Sequence, residues 1–265
     1  MNQKIDVSVI LCAYNEENVI EKAIARVDQV LAGANWSYEI IVVDDGSLDK
    51  TKEEATSYKY RNGKNNLQVV SYTRNLGKGN AFKEGFKHAK GEFIVLIDSD
   101  LDVDPEHIPR YVESLKNNDI AVASKWHPVS CTMMPWRRRF LSFGFNVLSR
   151  LLTGIKLRDT QAGLKAFRRT VLERILPRLS VKRFAFDLEI MAACNHCGFK
   201  IVEMPVSIRV NSIIKLKEIF RMAFDLVNVA YRLRILKFYQ RSLMLDLVSQ
   251  AGKREADEPL QDFGF

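Results

Sequence analysis

One short stretch, residues 93–105, constrains the fold of this chain more than any other. It begins with five apolar residues, a run of the length expected for a strand that is buried on both faces. The run stops at four aspartates on alternate positions: Asp98, Asp100, Asp102 and Asp104. Pro105 then opens a predicted helix, which Asp104 is expected to cap.

Acidic side chains at the end of a buried strand repel one another, and this repulsion favours a bound cation. In open α/β sheets, ligands bind beyond the carboxyl ends of the strands, where Mg²⁺ or Mn²⁺ takes carboxylate oxygens together with substrate phosphates. We therefore predict a metal-diphosphate site at Asp98 and Asp100. The alternative for these residues is a solvated acidic turn.

Apolar runs of strand length recur in the first half of the chain, at residues 7–11, 40–43, 67–72 and 120–123. Predicted helices, such as the one over residues 19–31, lie between them, and the links are short. This alternation predicts an α/β fold with a mostly parallel, doubly wound central sheet and helices on both faces.

Parallel strands place their carboxyl ends at one edge of the sheet, so the polar residues that follow the strands should converge. These residues are Glu16, Asp44, Asp45 and the aspartates after residue 97. Gly77-Lys78-Gly79 also follows a strand, but it lacks the spacing of a P-loop, so a plain turn is as consistent with it as a phosphate contact.

Charge is unevenly distributed along the 265 residues. The net charge is +8, but residues 1–120 carry −5 and residues 121–265 carry +13. The basic half predicts an anionic partner, either a nucleic acid or an anionic membrane surface with its lipid phosphates. The acidic cluster would repel a nucleic acid unless metal is bound, so we expect no nucleic-acid partner.

Four motifs, in chain order, resemble those of the inverting family 2 glycosyltransferases of the GT-A (Rossmann-like) fold: Ala13-Tyr14-Asn15-Glu16, Val43-Asp44-Asp45-Gly46-Ser47, Asn75-Leu76-Gly77-Lys78-Gly79 and Asp98-Ser99-Asp100-Leu101-Asp102. Two later segments are similar to one branch, the dolichyl-phosphate glucosyl- and mannosyltransferases: Asp159-Thr160-Gln161-Ala162-Gly163-Leu164-Lys165-Ala166-Phe167 and Phe184-Ala185-Phe186-Asp187-Leu188-Glu189. The resemblance extends from about residue 6 to residue 216.

The resemblance implies one GT-A domain, residues 1–210, with a nucleotide-sugar half over residues 1–124 and an acceptor half over residues 125–210. It assigns the nucleotide sugar, UDP-glucose or GDP-mannose, to eight residues: Ala13, Tyr14, Glu16, Val43, Asp45, Lys78, Asp98 and Ser99. Of these, Tyr14, Glu16 and Asp45 would hold the base and the ribose. The metal, Mg²⁺ or Mn²⁺, would bridge the diphosphate from three carboxylates: Asp98, Asp100 and Asp102.

The acceptor half contains a basic, apolar-rich helix candidate over residues 136–152, with three consecutive arginines: Arg137, Arg138 and Arg139. Consecutive residues do not share a helix face, so we expect one or two of them to meet a ligand and the rest to face water or lipid headgroups. By resemblance, Arg209 and Lys215 also bind the acceptor phosphate.

Two acidic residues in the second resembling segment, Asp187 and Glu189, are candidates for contact with the sugar. The alternative for Asp187 is an acid that stabilises the N-terminus of a helix. By resemblance, Asp159 shapes the site near the acceptor, and Lys125 adds positive charge to the diphosphate.

The implied reaction is the inverting transfer of a hexose, glucose or mannose, to a polyprenyl (dolichyl) phosphate, which gives a β-linked product. A phosphate monoester has a second pKa near ~6, so this acceptor is largely ionised at neutral pH and needs positioning rather than a general base. The predicted catalytic residues are therefore fixed charges: Asp100, Asp159, Lys125 and Arg139. The alternative is a family 2 enzyme with a saccharide or protein hydroxyl acceptor, which requires a base.

Residues 213–240 are amphipathic and rich in lysine and arginine. Such a helix packs on the sheet or lies at an anionic membrane surface, and we favour the surface. We predict interface helices over residues 211–250 and a flexible tail over residues 251–265. Since the sequence has no long uncharged apolar run, no evident secretory leader and no disulfide framework, we expect a cytoplasmic protein peripherally associated with the cytoplasmic face of a membrane.

Overall fold

The structure, a computed structural model, describes residues 4–61, 66–180, 185–209 and 216–234. Its nine strands within these ranges are β1 (Val7–Ala13), β2 (Tyr38–Asp44), β3 (Leu67–Ser71), β4 (Phe93–Asp98), β5 (Ile120–Ala123), β6 (Cys131–Met133), β7 (Leu164–Arg168), β8 (Ile201–Met204) and β9 (Ser207–Arg209). The eight α-helices there are α1 (Ile20–Ala32), α2 (Thr51–Arg61), α3 (Lys78–His88), α4 (Ile108–Ser114), α5 (Trp136–Thr153), α6 (Arg169–Ile175), α7 (Phe186–His196) and α8 (Leu216–Arg234).

Seven strands form the central sheet, in the order β3-β2-β1-β4-β7-β5-β8. All neighbours are parallel except β7, which runs antiparallel to both β4 and β5. The prediction of a mostly parallel α/β sheet flanked by helices is therefore confirmed. Strand β7, at residues 164–168, was not predicted from the sequence, and it lies between β4 and β5 in the sheet.

Helices cover both faces of the sheet because its strands are apolar on both sides. One apolar cluster packs side chains of α1 and α4 against alternate residues of β1 and β4. The other packs α3, α6, α7 and α8 against the opposite residues of the same strands. Within the described residues, no helix combines the length and apolar character needed to cross a bilayer.

The start of α3 is held against α7 by a close approach that only glycine permits. A Cβ atom on Gly79 would lie 2.5 Å from the ring of Phe186, the first residue of α7. The preceding residue, Gly77, has a φ of 99°, which L side chains rarely adopt. The segment predicted as either a turn or a phosphate loop is thus the first turn of a helix, and it places Lys78 beside α7.

The predicted helix cap at Asp104 is confirmed, since its carboxylate accepts a hydrogen bond from the backbone N–H of Glu106 at 3.0 Å. The strand itself ends earlier, at Asp98. Leu101 has a φ of 58°, and the backbone N–H of Asp102 donates to Oδ1 of Asp100 at 3.0 Å. The alternation expected for an extended chain does not continue beyond Asp98, because residues 100–102 form a turn.

Candidate active site

A cleft of about 770 Å³ opens at the carboxyl edge of β1, β2 and β4. Ten of the residues predicted from the sequence line it: Ala13, Tyr14, Glu16, Asp45, Lys78, Asp98, Ser99, Asp100, Arg138 and Asp187. Four other residues complete the lining: Cys12, Asn75, Gly77 and Gln161. The expected convergence of polar residues at one sheet edge is therefore present.

The loop that carries Tyr14 and Glu16 is tied to the loop after β2. The backbone N–H of Asn15 donates to Oγ of Ser47 at 2.9 Å, and the backbone N–H of Glu16 donates to Oγ1 of Thr51 at 2.7 Å. Asn15 adopts a φ of 57°, a conformation that asparagine tolerates better than most residues. These bonds leave the Tyr14 ring 41% exposed at the mouth of the cleft.

Asp45 organises the wall of the cleft rather than presenting a free carboxylate. Its Oδ1 accepts hydrogen bonds from the Tyr72 hydroxyl at 2.7 Å and from the backbone N–H of Leu76 at 2.8 Å, and its Oδ2 accepts from the N–H of Gly77 at 2.8 Å. The side chain is buried. Asp45 therefore fixes the segment that leads into α3.

Burial and neighbouring acidic charges raise the pKa values of three carboxyl groups near the cleft: Glu16, Asp100 and Asp102. Burial and then the charges of Asp100 and Asp49 raise the pKa of Glu16 to about 7. Burial and the Asp100 charge raise the pKa of Asp102 to about 6, and burial with the Asp98 charge raises that of Asp100. Such carboxylates gain from a nearby cation.

The carboxylates do not form a complete metal site by themselves. Within the described ranges, no group of three or more histidine, cysteine, aspartate or glutamate side chains is arranged to hold a metal ion. The turn at Leu101 separates Asp102 from the other two predicted metal ligands, Asp98 and Asp100. Asp102 is not among the residues that line the cleft. Asp98 and Asp100 both line it.

Four charged side chains linked by ion pairs lie at and beneath the floor of the cleft: Asp98, Lys78, Asp187 and Lys165. The Lys78 ammonium stands 2.6 Å from Oδ1 of Asp98 and 3.0 Å from Oδ2 of Asp187. The other Asp187 oxygen, Oδ1, accepts from the ammonium of Lys165 at 2.7 Å. Burial opposes the charge on Lys78, but Asp187 and Asp98 outweigh it and hold the Lys78 pKa above its usual range.

The other two of these charged side chains, Lys165 and Asp187, are buried. Burial holds the pKa of Lys165 below its usual range against the attraction of Asp187. For Asp187, burial works in the opposite direction, but Lys165 and Lys78 hold its pKa below the usual range. Asp187 is thus not a simple helix-terminal acid, because it joins two lysines beneath the cleft.

Lys125 and Asp159, both predicted as catalytic, form a pair behind the lining. Oδ2 of Asp159 accepts the backbone N–H of Lys125 at 3.0 Å and lies 3.5 Å from its ammonium, while Oδ1 accepts the N–H of Gln161 at 3.0 Å. Both oxygens of the buried Asp159 are engaged, so it positions Lys125 and Gln161 and is poorly suited to act as a base.

The three consecutive arginines separate as the helical period requires. Arg138 lines the cleft, and its charge acts on Asp100 and Asp102. The Arg137 guanidinium lies 5.4 Å from the Trp136 ring centroid, and that of Arg139 lies 5.9 Å from the Trp126 ring. Neither Arg137 nor Arg139 lines the cleft.

The other two residues predicted to bind the acceptor phosphate are Arg209 and Lys215. Arg209 is exposed on β9, and Lys215 lies outside the described residues.

Two predicted contacts are not supported by the side-chain positions. Val43 is fully buried in the core against α3, so its side chain does not face the cleft. Glu189 is also fully buried, and it accepts hydrogen bonds from Ser180 and, at 3.3 Å, from Arg232 of α8. Residues two apart on a helix point in nearly opposite directions, so Asp187 faces the cleft and Glu189 faces α8.

Sequence reasoning missed Lys165, Gln161 and Asn75 as site residues. A lysine inside an apolar run was the only signal for Lys165, since its partner Asp187 is distant in sequence. Gln161 and Asn75 stood inside the segments that carried the resemblance, but nothing in the spacing singled them out.

Helices α5 and α8 present a broad apolar surface beside the cleft. They contact one another, and the Arg234 guanidinium donates to the Leu151 carbonyl. Many of their large apolar side chains are nonetheless exposed: Trp136, Phe140, Leu141, Phe143, Val147, Leu148 and Leu151 on α5, and Phe224, Val227 and Tyr231 on α8. Exposed large apolar side chains on two helices that touch are typical of an interaction surface.

The raised pKa of Glu16 predicts how the stability of the metal-free protein depends on pH. Between its ordinary value of 4.5 and its folded value of about 7, the folded protein binds more protons than the unfolded chain, so the free energy of unfolding falls as pH rises. Glu16→Gln removes this titrating group, so we expect the fall to become smaller. The difference should be only roughly 1 kcal/mol, because solvent screens a half-exposed group. Denaturant unfolding in EDTA at about pH 5 and about pH 7.5 measures it.

Glu53→Gln, an identical change at an exposed position of α2, is the control and should leave the pH dependence unaltered. An equal fall in Glu16→Gln and the wild type would contradict the prediction.

Comparison with known proteins identifies the family. The model of glycosyl transferase family 2 matches residues 8–176. A dolichyl-phosphate beta-glucosyltransferase from Dictyostelium discoideum is 30% identical in a 244-residue alignment that covers 86% of this chain and 75% of the relative. A dolichol-phosphate mannosyltransferase from Pyrococcus furiosus is 35% identical in a 248-residue alignment that covers 88% of this chain and 67% of the relative.

A solved structure shows the same fold. Glucosyl-3-phosphoglycerate synthase from Mycobacterium tuberculosis, in complex with Mn²⁺, UDP-glucose and phosphoglyceric acid, superposes with a TM-score of 0.65 at 21% identity and covers 86% of this chain and 79% of that one. The motifs at residues 13–16, 43–47, 75–79 and 98–102 all lie within the matched family region. The chain therefore belongs to glycosyl transferase family 2 and is a glycosyltransferase of the GT-A fold.

Proposed function

We propose that this enzyme transfers a hexose, glucose or mannose, from a nucleotide sugar to a polyprenyl phosphate of the dolichyl type, with inversion at the anomeric carbon. The observation that carries the proposal is the placement of Arg138, which faces the acidic cluster from a helix that also exposes seven large apolar side chains. A cation at the junction of a polar cleft and an apolar surface suits a phosphate on a lipid. Relatives that cover most of the chain are named for such acceptors.

The nucleotide sugar binds along the carboxyl edge of the sheet in this proposal. Tyr14 and Glu16 at the mouth contact the base and ribose, and Asp45 holds the adjoining wall. Ala13 and Ser99 line the floor, and Ser99 is fixed by its hydrogen bond to the Cys12 carbonyl at 3.0 Å. The nucleotide-sugar half, residues 1–124, supplies all of these groups.

Asp98 and Asp100 are suited to hold Mg²⁺ or Mn²⁺ with the diphosphate. Their hard oxygen donors fit such ions, and Mg²⁺ is commonly held by one or two carboxylates together with substrate phosphates. The raised pKa of Asp100 is the effect expected of an acid awaiting a cation. When bound, the ion neutralises charge on the departing nucleoside diphosphate. Asp102 lies behind this pair and adds negative potential.

The acceptor phosphate lies near Arg138 in this proposal, with Lys125 contributing positive charge from behind the cleft. A phosphate monoester with a second pKa near ~6 is already a nucleophile at neutral pH, so the enzyme needs to orient it and shield its charge. The engaged oxygens of Asp159 agree with the absence of a need for a base. Arg139, Arg137, Arg209 and Lys215 belong to the wider basic acceptor half and attract the anionic lipid.

The sugar lies between Asp187 and Gln161, the polar lining residues contributed by the acceptor half beside Arg138. Attack by the phosphate oxygen on the anomeric carbon forms the new bond while the bond to the nucleoside diphosphate breaks on the opposite face. The product therefore has inverted configuration.

The α5 and α8 surface gives the proposed contact with a membrane. Its exposed aromatic and aliphatic side chains insert among lipids, and the neighbouring arginines attract anionic headgroups. The proposed location is thus the cytoplasmic face of a membrane, with peripheral attachment. Of the interface helices predicted over residues 211–250, residues 211–215 and 235–250 lie outside the described part of the chain, as does the tail predicted over residues 251–265.

Transfer from UDP-glucose and from GDP-mannose to dolichyl phosphate, each with Mg²⁺ or Mn²⁺ and with EDTA as control, tests the reaction. We expect one donor to react, and only with metal. Asp100→Asn should lower transfer by at least about 10²-fold, because an electrostatic contact to the departing group is lost.

Asp104→Asn is the matched control, since Asp104 lies in the same stretch but caps a helix outside the cleft. If the enzyme transfers the hexose to a saccharide hydroxyl and not to dolichyl phosphate, the proposed lipid-phosphate acceptor is wrong and the alternative hydroxyl acceptor is correct.

Arg138 and Arg137 provide a matched pair for the acceptor site. We expect Arg138→Met to lower kcat/KM for dolichyl phosphate by roughly 10- to 100-fold, the loss typical of one hydrogen bond to a charged group. Arg137→Met should stay within about threefold, because its guanidinium lies over Trp136. Steady-state kinetics with varied lipid decides between them, and equal losses would argue against Arg138 as the phosphate ligand.

Binding to vesicles that contain anionic lipid tests the apolar surface. Phe140→Glu on α5 and Phe224→Glu on α8 should each weaken partitioning by roughly tenfold, since each puts a charge in place of an exposed phenyl group that would insert among the lipids. Leu48→Glu, at a position 87% exposed in the nucleotide-sugar half, should have little effect. Equal sensitivity of all three positions would mean that α5 and α8 are not the contact.

A further inference from the structure

Lys165 is a charged side chain at the centre of the apolar sheet. It lies in β7, between two buried apolar neighbours, and its own side chain is fully buried. Its ammonium donates to the Ala162 carbonyl at 2.7 Å and to Oδ1 of Asp187 at 2.7 Å. An apolar residue of similar volume would fill this space without the cost of removing an ammonium from water. Packing alone therefore does not account for a lysine here.

The charge of Lys165 matters because Asp187 serves two lysines. Asp187 contacts Lys165 through Oδ1 and Lys78 through Oδ2. One carboxylate is thus shared by two ammonium groups. Lys78 also lies 2.6 Å from Asp98, so the two lysines and two aspartates together have no net charge. Without Lys165, the other three groups would carry a net charge of −1 at the cleft floor, where Lys78 and Asp98 line the cavity.

Lys165 also holds the loop that covers Asp98. The carbonyl that it binds belongs to Ala162, next to Gln161 of the cleft lining and to Gly163. A Cβ atom on Gly163 would lie 2.4 Å from Oδ2 of Asp98, so this loop packs directly on the Asp98 carboxylate. The same ammonium therefore joins the loop to the first turn of α7.

We propose that Lys165 is a positioning residue for the nucleoside diphosphate: by sharing Asp187, it offsets one negative charge beside Lys78 at the cleft floor, and it anchors the loop over Asp98. This inference rests on the proposed function, since it assumes that the cleft binds a nucleotide sugar. Lys165 itself touches no substrate. Its effect is carried by Asp187 and Lys78.

The test compares dissociation constants for UDP and GDP, measured by titration calorimetry with Mn²⁺ and in EDTA. Lys165→Met leaves the cluster of Lys78, Asp98 and Asp187 with a net charge of −1, so we expect affinity to fall by about tenfold with a shallower salt dependence. The double variant Lys165→Met with Asp187→Asn restores a net charge of zero and should return to within about threefold of the wild type. Lys87→Met, an equal change of net charge on the exposed face of α3, is the control and should bind as the wild type does.

The outcomes separate this inference from the proposed function. Wild-type affinity in folded Lys165→Met, or a double variant that binds no better than the single one, overturns the charge-sharing role. A purely structural role of Lys165 predicts that the double variant binds the nucleotide more weakly than Lys165→Met does. If Lys165→Met does not fold, the test rests on the folded double variant. Nucleotide binding tenfold weaker than that of the wild type in this variant overturns the inference. Failure of the wild type to bind either nucleotide overturns the proposed donor site and this inference together.

Discussion

Compensation of like charge at one edge of the sheet is the interaction on which the rest of the structure depends. Parallel strands β1, β2 and β4 bring Glu16, Asp98 and Asp100 into one cleft, where burial and neighbouring acidic charges raise the pKa values of Glu16 and Asp100. The cations arrive from separate elements: Lys78 from α3, Arg138 from α5 and Lys165 from β7. The acidic first half and the basic second half of the chain are thus two sides of one electrostatic arrangement.

Much of this architecture was predictable because the responsible signals are local. The strands of the first half are short apolar runs that end at polar residues, and a fully buried strand leaves that pattern whatever it pairs with. Since parallel strands share one carboxyl edge, the convergence of Tyr14, Asp45 and Asp98 follows from the strand order in the sequence. Seven of the ten predicted residues that line the cleft stand at or just after the ends of β1, β2 and β4, whereas Lys78, Arg138 and Asp187 come from helices.

What escaped prediction depends on turns, helix rotation and distant partners. The turn at Leu101 breaks the alternate spacing that placed Asp102 with Asp98 and Asp100. Glu189, two residues beyond Asp187, is rotated to the opposite side of α7 and pairs with Arg232 instead of facing the cleft. Strand β7 carries a lysine whose partner lies on a later helix, so its buried environment cannot be inferred from its neighbours in the sequence.

That lysine also bears on how the sheet assembles. In the ladder between β4 and β7, Leu96 faces Lys165 and Ile97 faces Leu164. Because side chains alternate between the faces of a sheet, a slip of one residue would turn Lys165 away from Asp187 and into the apolar cluster that contains Val95 and Ala166. An ammonium buried there without a carboxylate is strongly unfavourable. A single side chain thus marks the correct register of the central antiparallel ladder and selects against the misaligned pairing that apolar strands alone would tolerate.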